Sequence, residues 1–144
     1  MPVVYVLNGP NLGRLGTREP ETYGTMTFDE LAADCVRSAE ELGLTATVLQ
    51  TDDEAELIGW LHRAQDEQAA VVLNPAAFTH YSYALRDACA MVTSPLVEVH
   101  LSNPSAREEF RHTSVISGVA NGTIAGFGAE SYRLALRAVA SMLA

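Results

Sequence analysis

Short apolar runs of strand length alternate with longer stretches of helical periodicity along the chain, and this alternation limits its fold more than any other feature. Residues 3–7 read Val-Val-Tyr-Val-Leu, a β-branched and aromatic run with no polar break. Such a run suits a strand covered on both faces rather than one with a wet side. Thr27-Phe28-Asp29-Glu30 is a capping box: the threonine hydroxyl and the glutamate carboxylate each satisfy an amide that a first helical turn leaves unpaired. Leu31, Ala32, Cys35, Val36, Ala39 and Leu42 then fall on one helical stripe, and Gly43 follows as a C-cap. Residues 45–50 form the second expected strand. Thr51-Asp52-Asp53-Glu54 caps a second helix whose face carries Ala55, Ile58, Leu61 and Ala64.

Residues 70–73, 96–101 and 123–126 supply three more strands, with helices over 81–91 and 129–143. Pro95 breaks the chain before the fourth strand, and residues 103–121 stay irregular apart from a helical turn near 106–110. Repeated strand–helix–strand units require a parallel sheet with helices on both faces. The expected fold is a three-layer, flavodoxin-like α/β sheet of five strands in the order 2-1-3-4-5, built as one domain over residues 1–144. Ligands bind such sheets beyond the carboxyl ends of the strands, where the order reverses.

A formal charge of −9 repels nucleic acid and anionic membrane, so an anionic ligand has to be met by a local cationic pocket. All nine basic residues are arginine. Without lysine, imine catalysis is left with the terminal amine alone, and a Walker-type phosphate loop is excluded. Cys35 and Cys89 lie apart, inside helical segments and outside any C-x-x-C pattern, and read as buried small apolar residues in a reducing compartment. The opening segment has no basic region and too short an apolar run for a signal peptide, and no stretch reaches the roughly 18 apolar residues of a membrane span. A cytoplasmic protein is expected.

Three strand ends carry polar residues. After the first come Asn8-Gly9-Pro10-Asn11-Leu12-Gly13-Arg14-Leu15-Gly16-Thr17-Arg18-Glu19-Pro20-Glu21-Thr22-Tyr23-Gly24, a Gly/Pro-punctuated segment of the kind used as a lid or binding loop. Alone, Arg18 and Tyr23 read equally well as a solvated arginine and a rim aromatic, and the glycines do not form G-x-G-x-x-G. After the third strand, Asn74-Pro75-Ala76-Ala77-Phe78-Thr79-His80-Tyr81-Ser82 offers donors for hydroxyl groups, although helix capping explains Asn74 and Ser82 as well. On the fourth strand Glu98 and His100 alternate with apolar residues and share one face, so the carboxylate can orient the imidazole and keep it protonated. Arg107 and Arg111 follow, and suggest a bidentate clamp for a carboxylate. His62 reads as a surface residue and His112 has no assignment. The sequon Asn121-Gly122-Thr123 is idle in a cytoplasmic chain, and Gly126-Phe127-Gly128 reads as close packing of the fifth strand onto the last helix.

Taken together, these segments resemble the type II 3-dehydroquinate dehydratases. The resemblance rests on Asn8-Gly9-Pro10-Asn11 through Arg18-Glu19-Pro20 to Tyr23-Gly24, Asn74-Pro75 with Thr79-His80, Glu98-Val99-His100-Leu101-Ser102-Asn103, Arg107-Glu108-Glu109-Phe110-Arg111, and the closing Gly126-Phe127-Gly128 with its helix. It covers nearly the whole chain in order. Gly13-Arg14 stands where many members carry Asn-Leu, and leaves Asn11, Arg18 and Tyr23 in register.

The resemblance implies a hydro-lyase that needs no cofactor and dehydrates 3-dehydroquinate to 3-dehydroshikimate, in the pathway to aromatic amino acids. It assigns Tyr23 as the base and His100 as the acid, with Glu98 orienting His100, Asn11 stabilising the enolate through a water, and Arg18 favouring the phenolate of Tyr23. A phenol ordinarily titrates near 10, so the base needs such a cation. Substrate contacts fall to Asn74, His80, Asp87, Leu101, Ser102 and Arg111; Asp87 by itself is an ordinary helix carboxylate. A homododecamer built as a tetramer of trimers is also implied. Three readings compete with this one. An FMN-binding flavodoxin-like protein would need a Ser/Thr-rich loop after the first strand, and a receiver-like domain would need an aspartate at residue 74 and a late lysine. A catalytically silent member of the family is opposed by the intact Asn11, Arg18, Tyr23 and His100.

Overall fold

The computed structural model describes residues 1–17 and 19–144. Five parallel strands, β1 (Val3–Asn8), β2 (Thr45–Gln50), β3 (Ala70–Asn74), β4 (Leu96–His100) and β5 (Gly122–Ala125), form one sheet in the order β2-β1-β3-β4-β5. The helices are α1 (Pro20–Tyr23), α2 (Phe28–Glu41), α3 (Glu54–Asp66), α4 (Tyr83–Ala90) and α5 (Ala129–Leu143). The flavodoxin-like three-layer sandwich read from the alternation is thus the observed fold.

Each strand splits its side chains between two cores, because successive residues point to opposite faces. On β1, Val4 and Val6 pack with Leu31, Cys35 and Ala39 of α2 and with Tyr132, Leu136 and Val139 of α5. Tyr5 and Leu7 pack on the other side with Leu57 and Leu61 of α3 and Leu85 of α4. Hiding a side chain of leucine size is worth about 1.5–3 kcal/mol, so the two cores together fix which helix lies on which face.

The capping box at Thr27 is present: its hydroxyl accepts from the Glu30 amide at 3.1 Å, and the Glu30 carboxylate accepts from the Thr27 amide at 3.1 Å. The apolar face of α3 differs from the one expected. Leu57, Leu61 and Ala64 are buried, whereas Ala55 is exposed and Ile58 only half-buried, because Leu57 offers far more apolar area than Ala55. The α3 cap is Asp53, which takes the Ala55 amide at 2.9 Å. Asp52 instead reaches the first loop.

Three other expectations shift. The helix expected over 81–91 begins at Tyr83, because Ser82 caps it by accepting from the Leu85 amide at 3.0 Å, and a 3-10 turn, Ala76–His80, precedes it. The segment 103–121 holds 3-10 turns at Pro104–Ala106, Glu109–His112 and Ser117–Val119 instead of one turn near 106–110. Gly126 does not pack strand to helix. Its φ of +100° is a conformation that glycine adopts freely, a Cβ there would lie 3.4 Å from Asn103 Cβ, and Phe127 is 65% exposed. Cys35 and Cys89 are free and buried in helices, and burial pushes both thiols up to about 12.

Candidate active site

At the carboxyl end of β4 stand Glu98 and His100, both buried, two residues apart and therefore on one face of the strand. The Glu98 Oε2 atom lies 2.6 Å from His100 Nε2. Burial pushes the Glu98 carboxyl up, but hydrogen bonding and charge from His100, with the hydroxyls of Ser117 and Thr79, outweigh it and hold the group at about 2. An ionised carboxylate only accepts, so Nε2 carries the hydrogen between them and Nδ1 is left as the atom that can hold or release a proton.

The glutamate is caged. Thr79 donates to Oε2, Ser117 donates to Oε1 at 2.6 Å, and the Ser114 hydroxyl lies 3.0 Å from both oxygens. Among the described residues no buried side-chain nitrogen or oxygen lacks a hydrogen-bond partner.

Beyond the ends of β1 and β3, two paired asparagines meet where the strand order reverses. Asn8 and Asn74 are partners in the β1–β3 register, and the buried Tyr132 hydroxyl joins them, donating to Asn8 Oδ1 at 2.6 Å and accepting from Asn74 Nδ2 at 2.9 Å. Asn74 Oδ1 also takes the Ala76 amide at 3.0 Å, so this side chain keeps one N–H and one lone pair for a ligand. Gly9 donates its amide to the Asn74 carbonyl at 2.8 Å, and a Cβ on it would fall 2.6 Å from the Pro75 carbonyl oxygen. No larger residue fits there.

These elements enclose a cavity of about 30 Å³ whose walls include Tyr23, Asn74, His80, His100, Arg107 and Arg111, with Leu101 and Ser102. His80 donates from Nδ1 to the Thr113 carbonyl at 2.8 Å, and its ring meets Phe110 edge-on at 5.8 Å. Burial lowers its pKa below the ordinary imidazole value, helped by the charges of His100 and Arg111 and opposed by the Thr113 carbonyl. A neutral His80 presents Nε2 as an acceptor to a ligand hydroxyl.

Arg107 and Arg111 supply the positive charge. Arg111 bonds Glu108 at 3.1 Å, and Arg107 donates to the Ser102 hydroxyl at 3.2 Å while its guanidinium lies 5.2 Å from the Tyr23 ring centre. Tyr23 closes α1, a single turn that begins at Pro20 inside the segment read as loop; a 3-10 turn, Leu12–Arg14, occupies its first half. The half-buried Tyr23 ring also borders a neighbouring open cleft of about 570 Å³, and the Tyr23–Arg107 contact divides the two spaces.

Tyr23, His100, Asn74, His80, Leu101, Ser102 and Arg111 thus line one cavity, with Glu98 directly behind His100. Asn11 stands outside it. This residue is exposed, has a φ of +70°, and its amide donates to Asp52 at 2.8 Å, while Leu12 beside it lines the wall. Asp87 is also outside: it lies on the exposed surface of α4, paired with Arg86 at 3.0 Å. Arg18 lies outside the described residues. The residues that the sequence does not announce are Ser114 and Ser117, whose hydroxyls meet Glu98, and Tyr132 behind Asn74; Thr79, read as a donor for a ligand hydroxyl, bonds Glu98 instead. Their partners are distant in sequence, and no local pattern marks them.

Residues 2–140 match the family described as Dehydroquinase class II. The chain is 63% identical over 138 residues to the 3-dehydroquinate dehydratase of Salinispora tropica, covering 96% of each. It is 56% identical over 138 residues to that of Mycobacterium tuberculosis, covering 96% of this chain and 94% of that one. The type II dehydroquinase structure from Propionibacterium acnes superposes with a TM-score of 0.96 at 52% identity, over 98% of this chain and 97% of that one. The sheet order, the residues at its carboxyl edge and these likenesses agree, and the chain belongs to the class II dehydroquinase family.

Proposed function

We propose that this chain, as one catalytic domain, dehydrates 3-dehydroquinate to 3-dehydroshikimate by anti elimination, with Tyr23 as base and His100 as acid. The observation that carries this reading is that Tyr23 and His100 line one cavity while the buried Glu98 carboxylate holds the imidazole by its far nitrogen. The Tyr23 phenolate takes the proton from the carbon beside the ketone, and the electron pair moves into an enolate. Nδ1–H of His100 then protonates the departing hydroxyl, and water leaves as the enolate collapses to the enone.

Arg18 keeps the role that the family resemblance gives it, as the cation that serves the base, and the Arg107 guanidinium packs over the Tyr23 ring at 5.2 Å and holds it at the cavity wall. Arg111 pairs with the substrate carboxylate, and Asn74, His80 and Ser102 with the Leu101 segment take the ring hydroxyls and the rest of the anion. A cavity of about 30 Å³ is far below the roughly 300–1,000 Å³ of ordinary ligand sites, so substrate enters only when the α1 segment swings out and joins the cavity to the adjoining cleft. Closure around substrate is also the step that brings the Asn11 loop and its water to the enolate oxygen.

The protein acts in the cytoplasm as a dodecamer, a tetramer of trimers. Tyr81, Tyr83 and Phe110 are each at least 58% exposed, apolar surface that further copies would cover. Asp87 on α4 would then serve a neighbouring copy, since it does not reach the cavity of its own chain. The test is formation of the conjugated enone from 3-dehydroquinate, followed by ultraviolet absorbance and repeated after borohydride treatment. Product formation that survives borohydride is the expected result; no enone from a folded protein would refute the reading.

A further inference from the structure

Glu98 has no exposed surface, and four donors converge on its two oxygens: His100 Nε2 and the hydroxyls of Thr79, Ser114 and Ser117. Two of these hydroxyls come from the turn before β5, 16 and 19 residues beyond Glu98. The local geometry dictates where their protons go. Ser114 Oγ already accepts from the Ile116 amide at 3.1 Å and the Ser117 amide at 3.0 Å, and of the acceptors 3.0 Å from it, the Glu98 oxygens and Thr79 Oγ1, the charged carboxylate is the stronger and takes its hydrogen. Ser117 Oγ stands 2.6 Å from Oε1 and 3.0 Å from Thr123 Oγ1, so the shorter, charge-assisted contact takes its hydrogen and Thr123 donates to it.

A carboxylate offers about four lone-pair directions, and these four donors use them all. We propose that Ser117 and Ser114 are positioning residues for the acid step: by sharing the negative charge of Glu98 they set how tightly its other oxygen grips the His100 Nε2 hydrogen. The inference rests on the dehydratase reading above.

The sign follows from the acceptor. With Ser117 gone, the Glu98 charge concentrates on fewer donors, the bond to Nε2–H strengthens, and the imidazolium gives up its Nδ1 proton less readily. Ser117 lies behind Glu98 and is not a wall of the substrate cavity, so substrate binding is spared.

The experiment compares wild type with Ser117→Ala and Ser117→Thr by two readouts. One is the downfield proton resonance of His100 Nε2–H in the ligand-free protein, assigned by its loss in His100→Asn. The other is the split between kcat and KM for 3-dehydroquinate. Ser117→Ala moves the resonance further downfield and lowers kcat roughly tenfold with KM within about twofold, the effect of one charged hydrogen bond; Ser117→Thr restores both. An unmoved resonance, an unchanged kcat, or failure of threonine to restore them would overturn the proposal. If the alanine chain does not fold, Ser117→Cys, similar in shape but a weaker donor, is judged by the same two readouts. Because the resonance is read without substrate, a chain that dehydrates nothing but responds to Ser117→Ala refutes the activity and not the contact.

Discussion

Glu98→Gln removes one charge from the centre of the site and almost no volume. The wild-type carboxyl is held at about 2 against an ordinary 4.5, by the His100, Ser117 and Thr79 contacts that overcome burial. That depression corresponds to roughly 3 kcal/mol of native-state stability at pH 7. Because the folded value is depressed, this stability is fully present above pH 4.5 and is lost as pH falls toward 2. At pH 3, between the two values, less than half of it remains. Glutamine cannot follow this curve. Its amide also places donors against Ser114, whose hydroxyl oxygen already accepts two backbone amides. Urea unfolding of both proteins at pH 7, 5 and 3 should therefore show the variant less stable at pH 7 by about 3 kcal/mol, with the gap closing on acidification. A gap that stays constant from pH 7 to pH 3 would refute an ionised, hydrogen-bonded Glu98.

Tyr132→Phe leaves Asn8 Oδ1 and Asn74 Nδ2 without their buried partner and should cost roughly 2–4 kcal/mol in thermal or urea unfolding, while raising KM as Asn74 loosens; unchanged stability would deny the network its role. Arg107→Gln keeps a polar group at Ser102 but removes the cation over Tyr23. It should raise KM about tenfold, corresponding to about 1.4 kcal/mol of cation–π and lid contact, and speed amide exchange over residues 20–23; equal KM and exchange would show that Arg107 does not hold the lid.

Most of the layered fold could be read from periodicity. Residues 45–50 and 129–143 fall on β2 and α5 with the expected bounds, because both are flanked by clear breaks. The α3 stripe was harder, since residues 55, 58, 61 and 64 satisfy helical spacing as well as Leu57, Leu61 and Ala64 do, and only burial of the larger side chain separates them. Asp34 shows what pattern reading misses: it sits buried on α2 because Arg37 and Arg133 meet it at 2.5 and 2.8 Å, and Arg133 lies on α5.

In the site, Glu98 and His100 were visible from strand alternation alone. The hydroxyl cage was not, since Ser114 and Ser117 are ordinary polar residues in an irregular segment until the fold folds them back onto Glu98. Asp87 marks the other boundary: resemblance points to it, yet within one chain it faces solvent, paired with Arg86 and away from the cavity.

The most direct measurement follows hydrogen exchange at the carbon beside the ketone of 3-dehydroquinate in D2O, for His100→Asn and Tyr23→Phe. With a tyrosine base and a histidine acid, His100→Asn still washes deuterium into that carbon while elimination slows at least a hundredfold, and Tyr23→Phe does neither. Exchange that persists at the wild-type rate in Tyr23→Phe would contradict the assignment of the base and the mechanism built on it.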